Sequence, residues 1–176
     1  MLPDPRLEYV ACIGAPAGDF IAALDAFSRH FEKITDVKSA ANQINKFEFD
    51  VLVASQAKPA EIEAALPLLK PEGFLYWEVE RSRLEGAAKF RSVYSYRKHL
   101  KKMGFGDIQI YWHRPNFAAC KEIIPLENTA ALNFTLAKGH VGLKGQAKEI
   151  AGKLLKMSGL LAFVVPCFSL VAKKND

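Results

Sequence analysis

Short apolar runs alternate along this chain with stretches in which apolar positions recur at helical spacing, and the switching between the two periods predicts its elements. Leu7 to Ile13 reads as a first strand that ends at Gly14. Phe20, Ile21, Leu24, Phe27 and Phe31 then form one apolar stripe, which predicts a helix from about Ala17 to His30 with Asp19 in its first turn. Phe31 to Asp36 is expected to be a second strand and Ser39 to Asn45 a short helix. Phe49 to Ser55 is apolar enough for a strand buried on both faces. Pro59 suits the opening of a helix that runs from Ala60 to Leu69, where Pro71 stops it and Gly73 offers the positive φ of the turn. Phe74 to Trp77 follows as a strand. Ala87 to Met103 carries Phe90, Val93, Tyr94, Arg97 and Leu100 on one side and stops at Gly104, with lysines in its last turn. Asp107 to His113 and Pro166 to Lys173 complete the strands, with helical material from Ala147 to Met157 between them. Such alternation predicts a mostly parallel α/β sheet with helices on both faces.

At 176 residues, half of them apolar, the chain is expected to fold as a single domain over 1–176. A net charge of +5 permits an acidic partner without requiring one. Three widely spaced cysteines, Cys12, Cys120 and Cys167, form neither a disulfide framework nor a zinc motif, and a reducing, cytoplasmic setting is expected. The N-terminus has no signal-peptide pattern, and the apolar run from Gly159 to Ala172 is too short to span a bilayer, so no membrane attachment is expected.

Two stretches carry a family resemblance. Leu69-Lys70-Pro71-Glu72-Gly73-Phe74-Leu75-Tyr76-Trp77-Glu78 resembles the "LKPGG-apolar strand" signature of class I S-adenosylmethionine-dependent methyltransferases. Tyr9 to Phe20 resembles that family's first strand and glycine loop, with Gly14 and Gly18 on the first and third glycines. Pro16 replaces the middle glycine and Cys12 the acid at the strand end. Phe49-Asp50-Val51 resembles the family's "FDxV" strand, and Phe168 to Lys174 its final antiparallel strand. The resemblance implies a three-layer Rossmann-like methyltransferase sheet, mostly parallel with an antiparallel last strand. Two departures concern layout: an insert of about 114–158 separates the last two strands, and the short interval from Asp36 to Phe49 leaves little room for the usual third strand. The insert is the natural cover for a substrate pocket.

The resemblance implies S-adenosylmethionine as cofactor, lined by Gly14, Ala15 and Gly18, with Asp36 on the ribose hydroxyls and Ala54 and Ser55 beside the methionine part. Glu32 competes with Asp36. Methyl transfer draws much of its acceleration from positioning. A hydroxyl acceptor also needs a base within reach, and His113, Glu78 and Glu80, at strand ends on one edge, are the candidates. The aromatic and cationic cluster Tyr111, Trp112 and Arg114 is a candidate substrate contact.

Other chemistries are disfavoured. The Asn-Pro-Pro-Tyr signature of nitrogen methylation is missing, as are a G-x-S-x-G elbow and, in Gly139 to Gly145, P-loop spacing. Pro16 and Asp19 break the nicotinamide fingerprint, and His30, His99, His113 and His140 make no metal pattern. Lys89, Arg91, Arg97, Lys98, Lys101 and Lys102, with Tyr94 and Tyr96 interleaved, read as a solvated helix face, so nucleic acid is an unlikely partner. The expected activity is methyl transfer to a small-molecule or sugar-like acceptor. The alternatives are a catalytically inactive binding or scaffold domain, meeting a protein partner through the insert or the basic helix, and an RNA- or phosphate-binding module.

Overall fold

The computed structural model describes residues 7–37, 39, 49–81, 92–137, 150–152 and 154–175. The expected helix beyond Ser39, the start of the basic helix with Lys89, Phe90 and Arg91, and the Gly139 to Gly145 segment lie outside them. In chain order the elements are β1 (Leu7–Gly14), α1 (Gly18–Phe27), β2 (Ser28–Ile34), β3 (Phe49–Ser55), α2 (Pro59–Ala65), β4 (Leu69–Glu80), α3 (Val93–Lys102), β5 (Phe105–Arg114), β6 (Glu122–Pro125), α4 (Thr129–Ala137), α5 (Leu161–Val164) and β7 (Cys167–Lys174). Residues 150–152 and 154–157 are also helical.

All seven strands join one sheet in the order β2-β1-β3-β4-β7-β5-β6. The β1–β2, β1–β3 and β3–β4 pairings are parallel; β4–β7, β5–β7 and β5–β6 are antiparallel. The expectation of a mostly parallel sheet with one antiparallel strand is thereby corrected to a mixed sheet. β7 runs against both neighbours as expected, and β6, a short apolar run inside the insert, adds a second reversed strand at the edge. At the opposite edge, among the described residues, stands β2.

The two faces of the sheet are covered unequally. One packs Ala11, Leu52, Leu75, Trp77 and Leu170 against Ile62 of α2 and Tyr96 and Leu100 of α3. Trp77 and Phe168 meet Tyr96 edge-on at 5.2 and 5.3 Å, and the Trp77 indole N–H donates to the Ala57 carbonyl at 3.1 Å. Tyr96 is therefore core, and the surface reading of that tyrosine is wrong. The described insert packs on this same face through Leu132 and Leu155, and α5 does so through Leu161 and Ala162. The other face carries α1, whose Leu24 packs on Val10, Cys12, Val51 and Val53.

Two boundaries differ from expectation. α1 ends at Phe27 because both the N–H and the hydroxyl of Ser28 bond the Leu24 carbonyl, the hydroxyl at 2.7 Å, while Ser28 already pairs with Leu7 in the sheet. β4 begins at Leu69, which pairs with Phe49; the next paired residue is Phe74, opposite Val51, so Lys70 to Gly73 form a bulge in a continuous strand and no helix–strand turn. Glu72, with φ 63°, takes the left-handed conformation expected of Gly73. Gly73 is needed for room, since a Cβ there would lie 2.9 Å from the Lys70 carbonyl oxygen. No helix among the described residues is long and apolar enough to cross a membrane.

Candidate functional site

The carboxyl ends of β1, β3 and β4 are locked together at the glycine loop. Gly14, at φ +85°, sits so close to β3 that a Cβ would fall 2.1 Å from the Ser55 carbonyl oxygen, and that oxygen accepts the Ala15 N–H at 2.9 Å. The loop then turns into α1 at Gly18, whose missing Cβ faces open space with no atom within 4 Å. Ala17 offers no side-chain cap; its carbonyl accepts the Phe20 and Ile21 N–H groups at 3.1 Å, and those of Gly18 and Asp19 precede the helical ladder. Below the loop Cys12 is fully buried, and its thiol is pushed up to about 11 by burial and then by the Glu78 carboxylate. It stands there as a neutral group. The bend at Gly14 and the open space beside Gly18 are compatible with an adenosyl ligand, although Pro16 contributes no N–H and Ala15 has spent its own on Ser55.

A row of polar side chains starts under the loop and crosses the α1 face of the sheet. Ser55 pairs in register with Glu78, and Glu78 with Ser169 on β7. The Ser55 hydroxyl donates to one Glu78 oxygen at 2.7 Å and the Tyr76 hydroxyl to the other at 3.1 Å. Ser169 Oγ lies 2.8 Å from His113 Nε2. Cys120 Sγ is 3.6 Å from His113 Nδ1, and the Phe117 ring lies against the imidazole at 4.6 Å.

Burial governs the electrostatics of this row. It raises the Glu78 pKa, and the hydrogen bonds from Ser55 and Tyr76 only partly oppose that rise. The Tyr76 phenol is held far above its usual range by burial and then by Glu78, so it stays protonated. His113, 5% exposed, is lowered by burial to about 4 and is neutral at physiological pH. A histidine with a depressed folded pKa contributes stability that is complete above its unfolded value, near 6.5, and is lost as pH falls toward 4. The expected loss is about 3 kcal/mol. Acidification also protonates Glu78, which acts in the opposite sense. Denaturant titrations of the native protein and His113→Gln from pH 7 to 4 should therefore differ in slope, the variant being flatter; equal slopes would refute the assignment.

Beside this row lies a cavity of about 510 Å³ between α1 and the sheet. Phe20, Leu24, Val51 and Val53 wall one side, and Tyr111, Ile123 and Val171 the other; Tyr76, His113 and Ser169 supply its polar part. None of the lining residues carries a formal charge. The Phe20 and Tyr76 rings lie 6.1 Å apart. Among the described residues of the insert, Ile123 of β6 lines this opening; positions 138–149 lie outside the described residues.

Of the residues singled out from the sequence, Tyr111 and His113 line this cavity, while Gly14, Ala15, Ser55 and Glu78 meet at the glycine loop, which Gly18 ends. Glu80 lies on the same face one pair further on, opposite Cys167, and its N–H is held by the Gln56 side chain at 3.2 Å. Ala54 faces the opposite core and is fully buried, so its side chain cannot line a ligand. Asp36 lies just past β2, but its carboxylate accepts the N–H and hydroxyl of Ser39 at 3.3 and 2.6 Å. Strand alternation splits the aromatic cluster. Trp112 packs on the opposite core face, with the Arg114 guanidinium 5.1 Å from its ring and Arg114 ion-paired with Glu122 at 3.4 Å. Sequence reasoning missed Tyr76, Ser169 and Cys120. A serine among the apolar residues of β7, and polar residues at every second position of β4, were the available signals.

No protein-family model and no curated protein sequence matches the chain. Solved structures do. A SAM-dependent methyltransferase from Archaeoglobus fulgidus aligns over 98% of this chain and 87% of its own, with TM-score 0.55 and 13% identity. A SAM-dependent methyltransferase from Thermotoga maritima, described as a possible histamine N-methyltransferase, aligns over 99% of this chain and 84% of its own, with TM-score 0.50 and 13% identity. Phosphoethanolamine N-methyltransferase 2 of Haemonchus contortus, in complex with S-adenosyl-L-methionine, gives TM-score 0.50 at 15% identity over 99% of this chain, which spans only 50% of that protein. At these identities the likeness is one of fold: the chain has the architecture of SAM-dependent methyltransferases.

Proposed function

We propose that this chain transfers a methyl group from S-adenosylmethionine to a small-molecule acceptor. The observation that carries the reading is continuity: the glycine loop rests on Ser55, Ser55 holds Glu78, and the polar row from Glu78 leads into the cavity. Gly14, Ala15 and Gly18 would hold the cofactor, with Asp36 beside the ribose. Bound there, the cofactor supplies a methyl group activated by a sulfonium. The chain's own residues orient the acceptor and take its proton. The acceptor oxygen would take that methyl group as its own proton leaves. The hydroxyl proton moves to Tyr76 while Tyr76 passes its own to Glu78, which ends as a neutral acid. Burial lifts the proton affinity of Glu78 and suits it to this role.

Calorimetric titration with S-adenosylmethionine and S-adenosylhomocysteine tests the reading. Binding in the micromolar range is expected, and Gly18→Val should weaken it by roughly tenfold, about 1.4 kcal/mol. Because a Cβ added at Gly18 meets no atom within 4 Å, the same variant should melt close to the native protein. A flat titration at millimolar cofactor would favour the second reading, a scaffold domain, for which the absent N–H of Pro16 and the neutral Cys12 speak.

A further inference from the structure

Building on the methyltransferase reading, we infer that the acceptor is a flat, uncharged, largely apolar molecule bearing a single hydroxyl, such as a phenol, lying in the cavity with that hydroxyl against Tyr76, Ser169 and His113. The cavity volume, about 510 Å³, falls in the range of small-molecule sites. Its walls are apolar and aromatic, and they are set for a planar body by the Phe20 and Tyr76 rings, 6.1 Å apart, with Tyr111 opposite. An ionic acceptor is disfavoured by the lining. An ammonium or phosphate would give up its hydration with no opposite charge on any lining residue. Glu78, the nearest carboxylate of the polar row, already has both oxygens engaged by Ser55 and Tyr76.

A sugar fares no better. Its many hydroxyls would face Val51, Val53 and Val171, where nothing accepts or donates, and each unmatched polar group has a desolvation cost. One hydroxyl is what the site satisfies. Tyr76, Ser169 and His113 are neutral and line the cavity together, Ser169 bonded to His113 and Tyr76 to Glu78. A hydroxyl both donates and accepts, so it extends those bonds without leaving a member unpaired.

The test uses 2-naphthol as probe, with naphthalene as its apolar isostere, 2-naphthalenesulfonate as the charged one and glucose as the sugar, titrated against the cofactor-free full chain by fluorescence or calorimetry. One-to-one binding of 2-naphthol is expected, at least tenfold tighter than any of the other three. Val171→Trp, which fills the cavity from a half-buried position, should abolish it. Tyr76→Phe, which barely changes shape, should cut the preference for 2-naphthol over naphthalene by about tenfold. Sulfonate or glucose binding as tightly as 2-naphthol, or 2-naphthol affinity unchanged in Val171→Trp, would overturn the inference. S-adenosylmethionine affinity is read separately: selective 2-naphthol binding beside a flat cofactor titration would sink the methyltransferase reading and leave the hydroxyl-binding site standing.

Discussion

Replacing Gly14 with alanine should lower the melting temperature by roughly 10 °C. The residue has φ +85°, which costs an alanine about 1–2 kcal/mol. The new Cβ would also fall 2.1 Å from the Ser55 carbonyl oxygen, well inside contact distance, and so would force β1 and β3 apart where the sheet is most buried. Together these amount to about 3–5 kcal/mol, and a domain of this size loses about 2–4 °C per kcal/mol. Gly18→Ala provides the contrast, since it has open space and an ordinary φ. Thermal denaturation followed by circular dichroism compares the two. A Gly14→Ala protein that melts within about 2 °C of the native one would contradict the close approach of loop and strand, and with it the geometry of the whole site.

Glu78→Gln should reduce the rate of methyl transfer to a hydroxyl acceptor by about 10²–10⁴-fold, the usual contribution of a positioned base. Cofactor affinity should change little. The pH profile makes the assignment specific. A base works only when deprotonated, and burial raises the Glu78 pKa, so kcat/KM of the native protein should rise with pH and level off above the ordinary carboxylate range. In Glu78→Gln that limb should vanish. The variant should also be no less stable at neutral pH, because it removes a carboxylate that the fold holds at a cost. An unaltered pH limb would transfer the base role to another group, and a large loss of stability would mean that Glu78 serves chiefly to join β3 to β4.

Several features of this site were readable before any coordinates because they are local. Gly14 and Gly18 mark a strand-to-helix bend by composition and spacing, and the apolar run from Phe49 to Ser55 can only be a buried strand. Glu78 and His113 were recognisable as titratable groups at strand ends. The errors were also local in origin. Pro71 and Gly73 look like a turn because turns use those residues, yet pairing of Leu69 with Phe49 turned the same residues into a bulge inside β4. Helical periodicity carried α1 past Phe27, where the pairing of Ser28 with Leu7 outweighed propensity.

Residue order thus established most of the succession of strands and helices and the sharp bend at Gly14, since propensity, periodicity and turn chemistry act within a few residues; the reversed direction of β7 was implied by the family resemblance alone. Which side chains meet was decided by the fold alone. Ser55, Tyr76, His113 and Ser169 come from four strands scattered along the chain, and register places them on one face; the same alternation sends Trp112 and Arg114 to the other. Helix placement did the rest: the described insert joined the core on the face opposite α1, and the face beneath α1 holds a cavity whose existence no stretch of sequence announces.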